Sequence, residues 1–185
     1  IIFDYSQILR RDSRQQRKEK SEAELLDIVR RDSSVVFPRN SVLVPRATRI
    51  KGRVYLADRP LRVSTNFAVY MLPDEREAEL LASWMLTIFY QLNCEVSSKD
   101  QEGMRKMELR DIGSTYVPLF SDITDEQYQE IHTATSGALF LNLKNPGIRD
   151  IDLVWAEIIF GSDSMYFLNE AKRLLRYIAI KRVNG

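Results

Sequence analysis

Apolar positions fall in short, punctuated runs as far as Met71 and at helical spacing through much of the rest of the chain. Val35-Val36-Phe37 ends at Pro38, and Val42-Leu43-Val44 ends at Pro45. A proline at the close of an apolar run marks the end of a strand. Residues 49–56 read as a further strand, with Gly52 as a candidate bulge. Asp58-Arg59-Pro60 turns the chain, and residues 63–65 and 67–71 read as two more strands or one bent strand. From Pro73 the period changes. Leu80, Leu81, Trp84, Met85, Ile88, Phe89 and Leu92 recur as one helical stripe, and Asp74, Glu75, Glu77 and Glu79 favour its N-terminal end.

Residues 93–108 are polar and read as a loop with possible strand pieces around Gly103. Residues 109–112 make a short turn or helix, and 116–119 an extended piece. A helix is expected over about 122–137, a turn at Asn145-Pro146-Gly147, and two closing helices over 148–160 and 162–182, separated by Gly161. Ser21 with Glu24 forms a capping box, so 21–31 is also expected to be helical. The pattern predicts an α/β (α+β) fold: a twisted, mostly antiparallel sheet with packed helices and a C-terminal helical segment. The expected divisions are 1–34, a basic linker-like segment and helix; 35–140, the α/β domain; and 141–185, the helical segment.

Cys94 is the single cysteine, which excludes an internal disulfide and a cysteine-based zinc site and fits the reducing cytoplasm. No run of 18 apolar residues is present, so no membrane partner is expected. The chain starts at Ile1 rather than Met, as expected of a piece cut from a longer protein. The net charge of +1 is unevenly placed. Residues 1–62 carry 15 basic and 8 acidic side chains, and residues 63–140 carry 5 and 13. Such an asymmetry allows a basic face for a polyanion. The bland alternative is that folding interleaves the segments. Residues 10–20 hold six basic residues and two acidic ones, which suits a linker, a helix extension or a phosphate-contacting arm.

Catalytic chemistry is poorly represented. There is no phosphate-cradling glycine loop, and His132 is the one histidine, with nothing to place Cys94 beside it. The carboxylates at 74–79 are explained by a helix start. Asp100 and Glu102, with Lys99 and Lys106 nearby, make an incomplete nuclease-like set. No catalytic residue and no metal ligand is assigned.

Arg46, Arg49, Lys51, Arg53, Arg59 and Arg62 fall within 17 residues, on expected strand ends and turns. Arginine and lysine supply affinity for phosphates, and arginine can bind guanine bidentately. Ser64, Thr65 and Asn66 add short polar groups, and Lys99, Arg105 and Lys106 form a second basic group.

In order along the chain, these features resemble the target-recognition domain of restriction–modification systems, as in Type I specificity subunits and in the C-terminal part of adenine-specific DNA methyltransferases. A strand delivering a basic residue is matched by Asn40-Ser41-Val42-Leu43-Val44-Pro45-Arg46, and a Gly-Arg-Val step by Gly52-Arg53-Val54. A helix with Leu80-Leu81-Ala82-Ser83, the phrase Tyr116-Val117-Pro118-Leu119 and a helix opening at Asp125-Glu126-Gln127 follow. The tail at 150–161 is similar to that of fused methylases. Pro45 before the basic residue and Phe120 in place of a second proline depart from the pattern, and the Asn-Pro-Pro-Tyr/Phe methylase motif is missing.

The resemblance implies sequence-specific recognition of double-stranded DNA by a chain without a catalytic site. Upstream methyltransferase or nuclease domains or subunits would be its partners, and S-adenosylmethionine would belong to the catalytic domain. The alternatives are a protein-interaction or scaffold module docking through the last helix and the basic N-terminal segment, and a stand-alone hydrolase.

Overall fold

A computed structural model describes residues 36–138 and 140–184. The basic run at 10–20 and the helix expected at 21–31 lie outside the described residues. Among the described residues, four small antiparallel sheets and six α-helices make a mixed α/β fold. Strand β2 (Ser41–Pro45) is the centre of a three-stranded sheet. It pairs with β5 (Tyr55–Leu56) on one side and β7 (Phe67–Met71) on the other. Val42 and Val44 enter the core with 0% and 2% exposure, which explains an apolar run with no polar alternation. A second three-stranded sheet has β9 (Met104–Lys106) between β3 (Ala47–Thr48) and β8 (Lys99–Gln101). Two ribbons complete the β structure, β1 (Val36–Phe37) with β6 (Leu61–Arg62) and β4 (Lys51–Gly52) with β10 (Leu141–Asn142).

The strand expected over 49–56 is therefore two pieces, β4 and β5, in different sheets. Gly52 marks a close approach rather than a bulge. A Cβ on it would meet the Gln91 side-chain oxygen at 2.5 Å. That amide cannot swing aside freely, because it donates to the Met85 carbonyl at 2.7 Å and accepts from Arg105 at 2.9 Å. Ser64 and Thr65 fall in a turn rather than a strand, closed by Phe67 N–H donating to the Ser64 carbonyl at 3.2 Å.

The single helix expected from Pro73 to Leu92 is broken into α1 (Glu75–Leu86) and α2 (Ile88–Ser97). Thr87 adopts an extended ψ of 158° and caps both helices. Two distant residues hold the break. The buried Asp152 carboxylate accepts from Ile88 N–H at 2.8 Å, and Arg149 donates to the Leu86 carbonyl at 2.6 Å. Arg149 and Asp152 are themselves paired at 2.9 Å. These contacts satisfy backbone groups that the missing helical turn leaves open.

Helix α2 then runs through part of the expected polar loop, and the rest of that loop is the β8–β9 hairpin. The short α3 (Leu109–Gly113) follows, then α4 (Asp125–Thr135), which opens on a Thr124 capping box. The closing helices are α5 (Asp150–Phe160) and α6 (Ser164–Asn184).

Trp155 of α5 is fully buried in the main core, with its ring edge against Trp84 and its Nε1 donating to Ser83. On α6, Leu168, Ala171, Leu175, Ala179 and Arg182 are buried at helical spacing, and the apolar members pack with Ile88, Leu141 and Leu143. The C-terminal helices are thus packed against the sheet-bearing part through shared apolar layers.

Replacing Gly52 by Ala is expected to destabilise the fold by roughly 1–3 kcal/mol, since an added methyl here must displace a bonded amide. Gly137, which has open space where a Cβ would stand, is the control, with Gly137→Ala expected within about 0.5 kcal/mol of the parent. Urea midpoints at unchanged m-value measure both.

Candidate nucleic-acid interface

Alternation along the β3–β9–β8 sheet sorts its side chains between two faces. Thr48, Arg105 and Met107 are buried, whereas Ala47, Lys99, Met104 and Lys106 are exposed. Register places Lys99 directly opposite Lys106, and Ala47 opposite Lys106 on the other side. Two like charges facing each other across strands weaken a sheet. Here they stand beside a small side chain that leaves them accessible. The hairpin turn consists of Glu102 and Gly103, with φ of 54° and 72°. Positive φ at both central residues is the geometry that matches strand twist in a two-residue hairpin, and glycine suits its second position.

Arg105, adjacent in sequence to Lys106, points the other way and is 2% exposed. The expectation that it contacts DNA gives way to an internal role. It pairs with Glu95 at 3.4 Å and donates to the Gln91 side-chain oxygen at 2.9 Å and to the Gln91 carbonyl at 3.3 Å. Glu95 also holds Arg182 of α6 at 2.9 Å. Period-2 alternation in a hairpin is the signal that separates Arg105 from its neighbour.

Arg46 stands at the end of β2, as expected, but its side chain is largely engaged. It pairs with Glu108 at 2.7 Å and donates to the Thr65 carbonyl at 3.3 Å and the Met107 carbonyl at 3.4 Å. Its backbone bridges the same neighbours, with N–H to the Asn66 carbonyl and carbonyl from Met107 N–H, both at 2.8 Å. Arg46 therefore staples the Ser64-Thr65-Asn66 turn to the end of β9. This brings the turn, with Ser64 and Thr65 exposed, to the edge of the sheet that bears Lys99 and Lys106.

Arg49, Lys51 and Arg53 are exposed along the β3–β4 segment. Lys51 lies over the Phe140 ring, 4.7 Å from its centroid. Arg59 is exposed in the β5–β6 loop, near the opposite end of β2 from Arg46, and Arg62 is half-buried on β6. The structure thus brings Arg46, Ser64, Thr65, Asn66, Lys99 and Lys106 into one neighbourhood, with Arg49 following β3. It sets Arg59 and Arg62 on other segments.

Cys94 and His132 are not paired. Cys94 is buried in α2, where desolvation pushes its thiol pKa up. An apolar environment of that kind suppresses the reactive thiolate. His132 is exposed on α4, with Nδ1 2.9 Å from Glu79. The Tyr128 hydroxyl donates to the same carboxylate, and its pKa is pushed up to about 12, chiefly by that bond. Among the described residues, no three of His, Cys, Asp and Glu are grouped to hold a metal ion, and no helix is long and apolar enough to cross a membrane.

Comparison with known proteins bears out the resemblance read from the sequence. The family model described as the specificity domain of restriction endonuclease BpuSI matches residues 1–148. The crystal structure of the type IIG restriction endonuclease BpuSI superposes with a TM-score of 0.79 at 33% identity, over 92% of this chain. The matched region is 20% of that chain, so this protein spans about a fifth of its relative's length. No curated protein matches. With most of its length matched by the family model and the fold shared at that identity, the chain belongs to the BpuSI specificity-domain family of restriction endonucleases.

Proposed function

We propose that this chain reads double-stranded DNA for a restriction enzyme, with cleavage or methyl transfer carried out by other domains or subunits. The observation that carries this reading is the shared fold and 33% identity with a type IIG restriction endonuclease, over a region its family model describes as a specificity domain. The chemistry of the surface supports it. A duplex presents one negative charge per roughly 1.7 Å of axis, and phosphate contacts are what bring a protein into register. Lys99 and Lys106 on one exposed sheet face, with Arg49, Lys51 and Arg53 on the neighbouring segment, suit that task. The Ser64-Thr65-Asn66 turn offers short donors and acceptors for phosphates or base edges. On this reading S-adenosylmethionine and any base-flipping pocket belong to the catalytic domain.

The test is fluorescence anisotropy with a mixed set of duplexes over a salt series. The double replacement Lys99→Ala with Lys106→Ala is expected to weaken binding by a similar factor on every sequence and to lower the log–log salt slope by about 1.8. Parent protein that fails to bind any duplex at low salt contradicts the proposal.

One observation favours a second, compatible role in protein docking. Tyr166, Phe167 and Tyr177 on α6 are 67%, 42% and 63% exposed, an aromatic face unusual for open solvent. Its occupant would be the catalytic portion of a longer restriction enzyme, since a relative's chain is about five times as long as the matched region. Tyr166→Ala with Tyr177→Ala is expected to leave duplex affinity within two-fold of the parent. In the full-length enzyme it should weaken the association of this domain with the catalytic portion, seen as easier proteolytic separation of the two.

A further inference from the structure

Arg182 bonds to two cation-bearing segments of the candidate interface, the β8–β9 hairpin and the segment that begins at Arg49. It is buried in the last turn of α6, where one of its terminal nitrogens donates to the Gly103 carbonyl at 2.6 Å. The other donates to the Arg49 carbonyl at 2.9 Å and to Glu95 at 3.1 Å. Its Nε donates to the second Glu95 oxygen at 2.9 Å. Gly103 is the tip of the β8–β9 hairpin that carries Lys99 and Lys106. Arg49 opens the segment that carries Lys51 and Arg53. Two backbone carbonyls from these two cation-bearing segments are therefore bonded to one planar guanidinium, which is anchored by a buried carboxylate on α2.

We propose that Arg182 is a positioning residue for DNA recognition, fixing the hairpin lysines relative to the Arg49–Arg53 segment. The inference rests on the DNA-reading proposal above. A guanidinium is suited to the task because its donors lie in a rigid plane with set directions, whereas an ammonium is a point charge. Phosphates along a strand are regularly spaced, so cations contribute together only when their own spacing is held. Gly103 fits the same arrangement, with the backbone of α6 packed 3.6 Å from where its Cβ would stand.

The test is a cycle of Arg182→Lys with the Lys99→Ala/Lys106→Ala pair, read by anisotropy on duplex DNA across a salt series. Lysine keeps the charge beside Glu95 but cannot hold both carbonyls and the carboxylate in the fork geometry. Arg182→Lys alone is expected to lower the salt slope by up to about 1.8, the value for the lysine pair, and to add little on top of that pair. Amide hydrogen exchange should quicken at residues 102–106 and 49–50 while the core amides hold.

An Arg182→Lys protein that melts earlier yet keeps its salt slope overturns the positioning role. So does a loss that adds in full to that of the lysine pair. A parent chain that binds no duplex at low salt overturns the DNA reading instead. In that event unchanged exchange at 102–106 and 49–50 in Arg182→Lys separately refutes the clamp. Should Arg182→Lys not fold, native-state hydrogen exchange of the parent over a urea series replaces it: residues 102–106 and 49–50 opening together with the last turn of α6 supports the clamp, and their opening independently of that turn overturns it.

Discussion

A buried carboxylate shared by two arginines from distant parts of the chain is the constraint on which the candidate interface depends. Glu95 lies fully out of solvent and pairs with Arg105 of β9 and Arg182 of α6, themselves 2% and 6% exposed. Removing three charges from water costs several kcal/mol per ion, and the arrangement holds only if the geometry is good and the remaining donors find partners. They do. Arg105 reaches both oxygens of Gln91, and Arg182 reaches the carbonyls of Gly103 and Arg49. An apolar cluster of the same volume would hold the elements together as firmly, but without directional bonds it would not define where a hairpin tip stands relative to a turn. Loss of one partner of such a group costs about 3–5 kcal/mol, because the other charge is then stranded.

The same logic operates at the Thr87 break. There Arg149 and Asp152 from the start of α5 satisfy the open carbonyl of Leu86 and N–H of Ile88. Both clamps tie C-terminal residues to the α1–α2 pair. Since α2 also carries Gln91, against which Gly52 closes, the position of the break sets the direction of α2 and with it the seat of β4 and β9. The outer cations are thus mounted on segments held from beneath by charged groups that are buried or, for Arg149, largely buried.

How much of this was legible follows the range of the interactions. The β2 strand, the Thr124-capped helix and the α6 stripe have local signals: an apolar run closed by proline, a capping box, and apolar residues at intervals of three and four. The break at Thr87 has no comparable local signal, because Leu80 through Leu92 keeps one helical stripe and the groups that interrupt it lie more than 60 residues away. The β8–β9 hairpin is legible in the sequence only as possible strand pieces around Gly103, for a different reason. Its strands are polar, so the usual apolar alternation is absent, and its one clear mark was Glu102-Gly103 as a two-residue turn. Read as a hairpin, residues 99–106 already place Arg105 and Lys106 on opposite faces. Sequence proximity groups them, and Arg46 at a strand end has the pattern of a reaching cation, although its bonds to Glu108 and the Thr65 carbonyl make it chiefly a staple.

A net charge of +1 does not prevent gripping a polyanion, because local charge decides, and among the described residues the fold divides the cations between two tasks. Arg105, Arg149 and Arg182 are consumed in scaffold bonds, and Arg46 in large part. Lys99, Lys106, Arg49, Lys51 and Arg53 remain outward. On the DNA-reading proposal these outward charges supply affinity that is indifferent to sequence and weakened by salt. Discrimination must come from groups that meet base edges at a defined depth and register. The Ser64-Thr65-Asn66 turn qualifies because Arg46 bonds it to the end of β9 through both backbone and side chain. On that proposal a phosphate-bound hairpin and a base-reading turn, joined this directly, would be presented to the duplex together. The phosphate contacts of the hairpin would then fix the register in which the turn meets base edges.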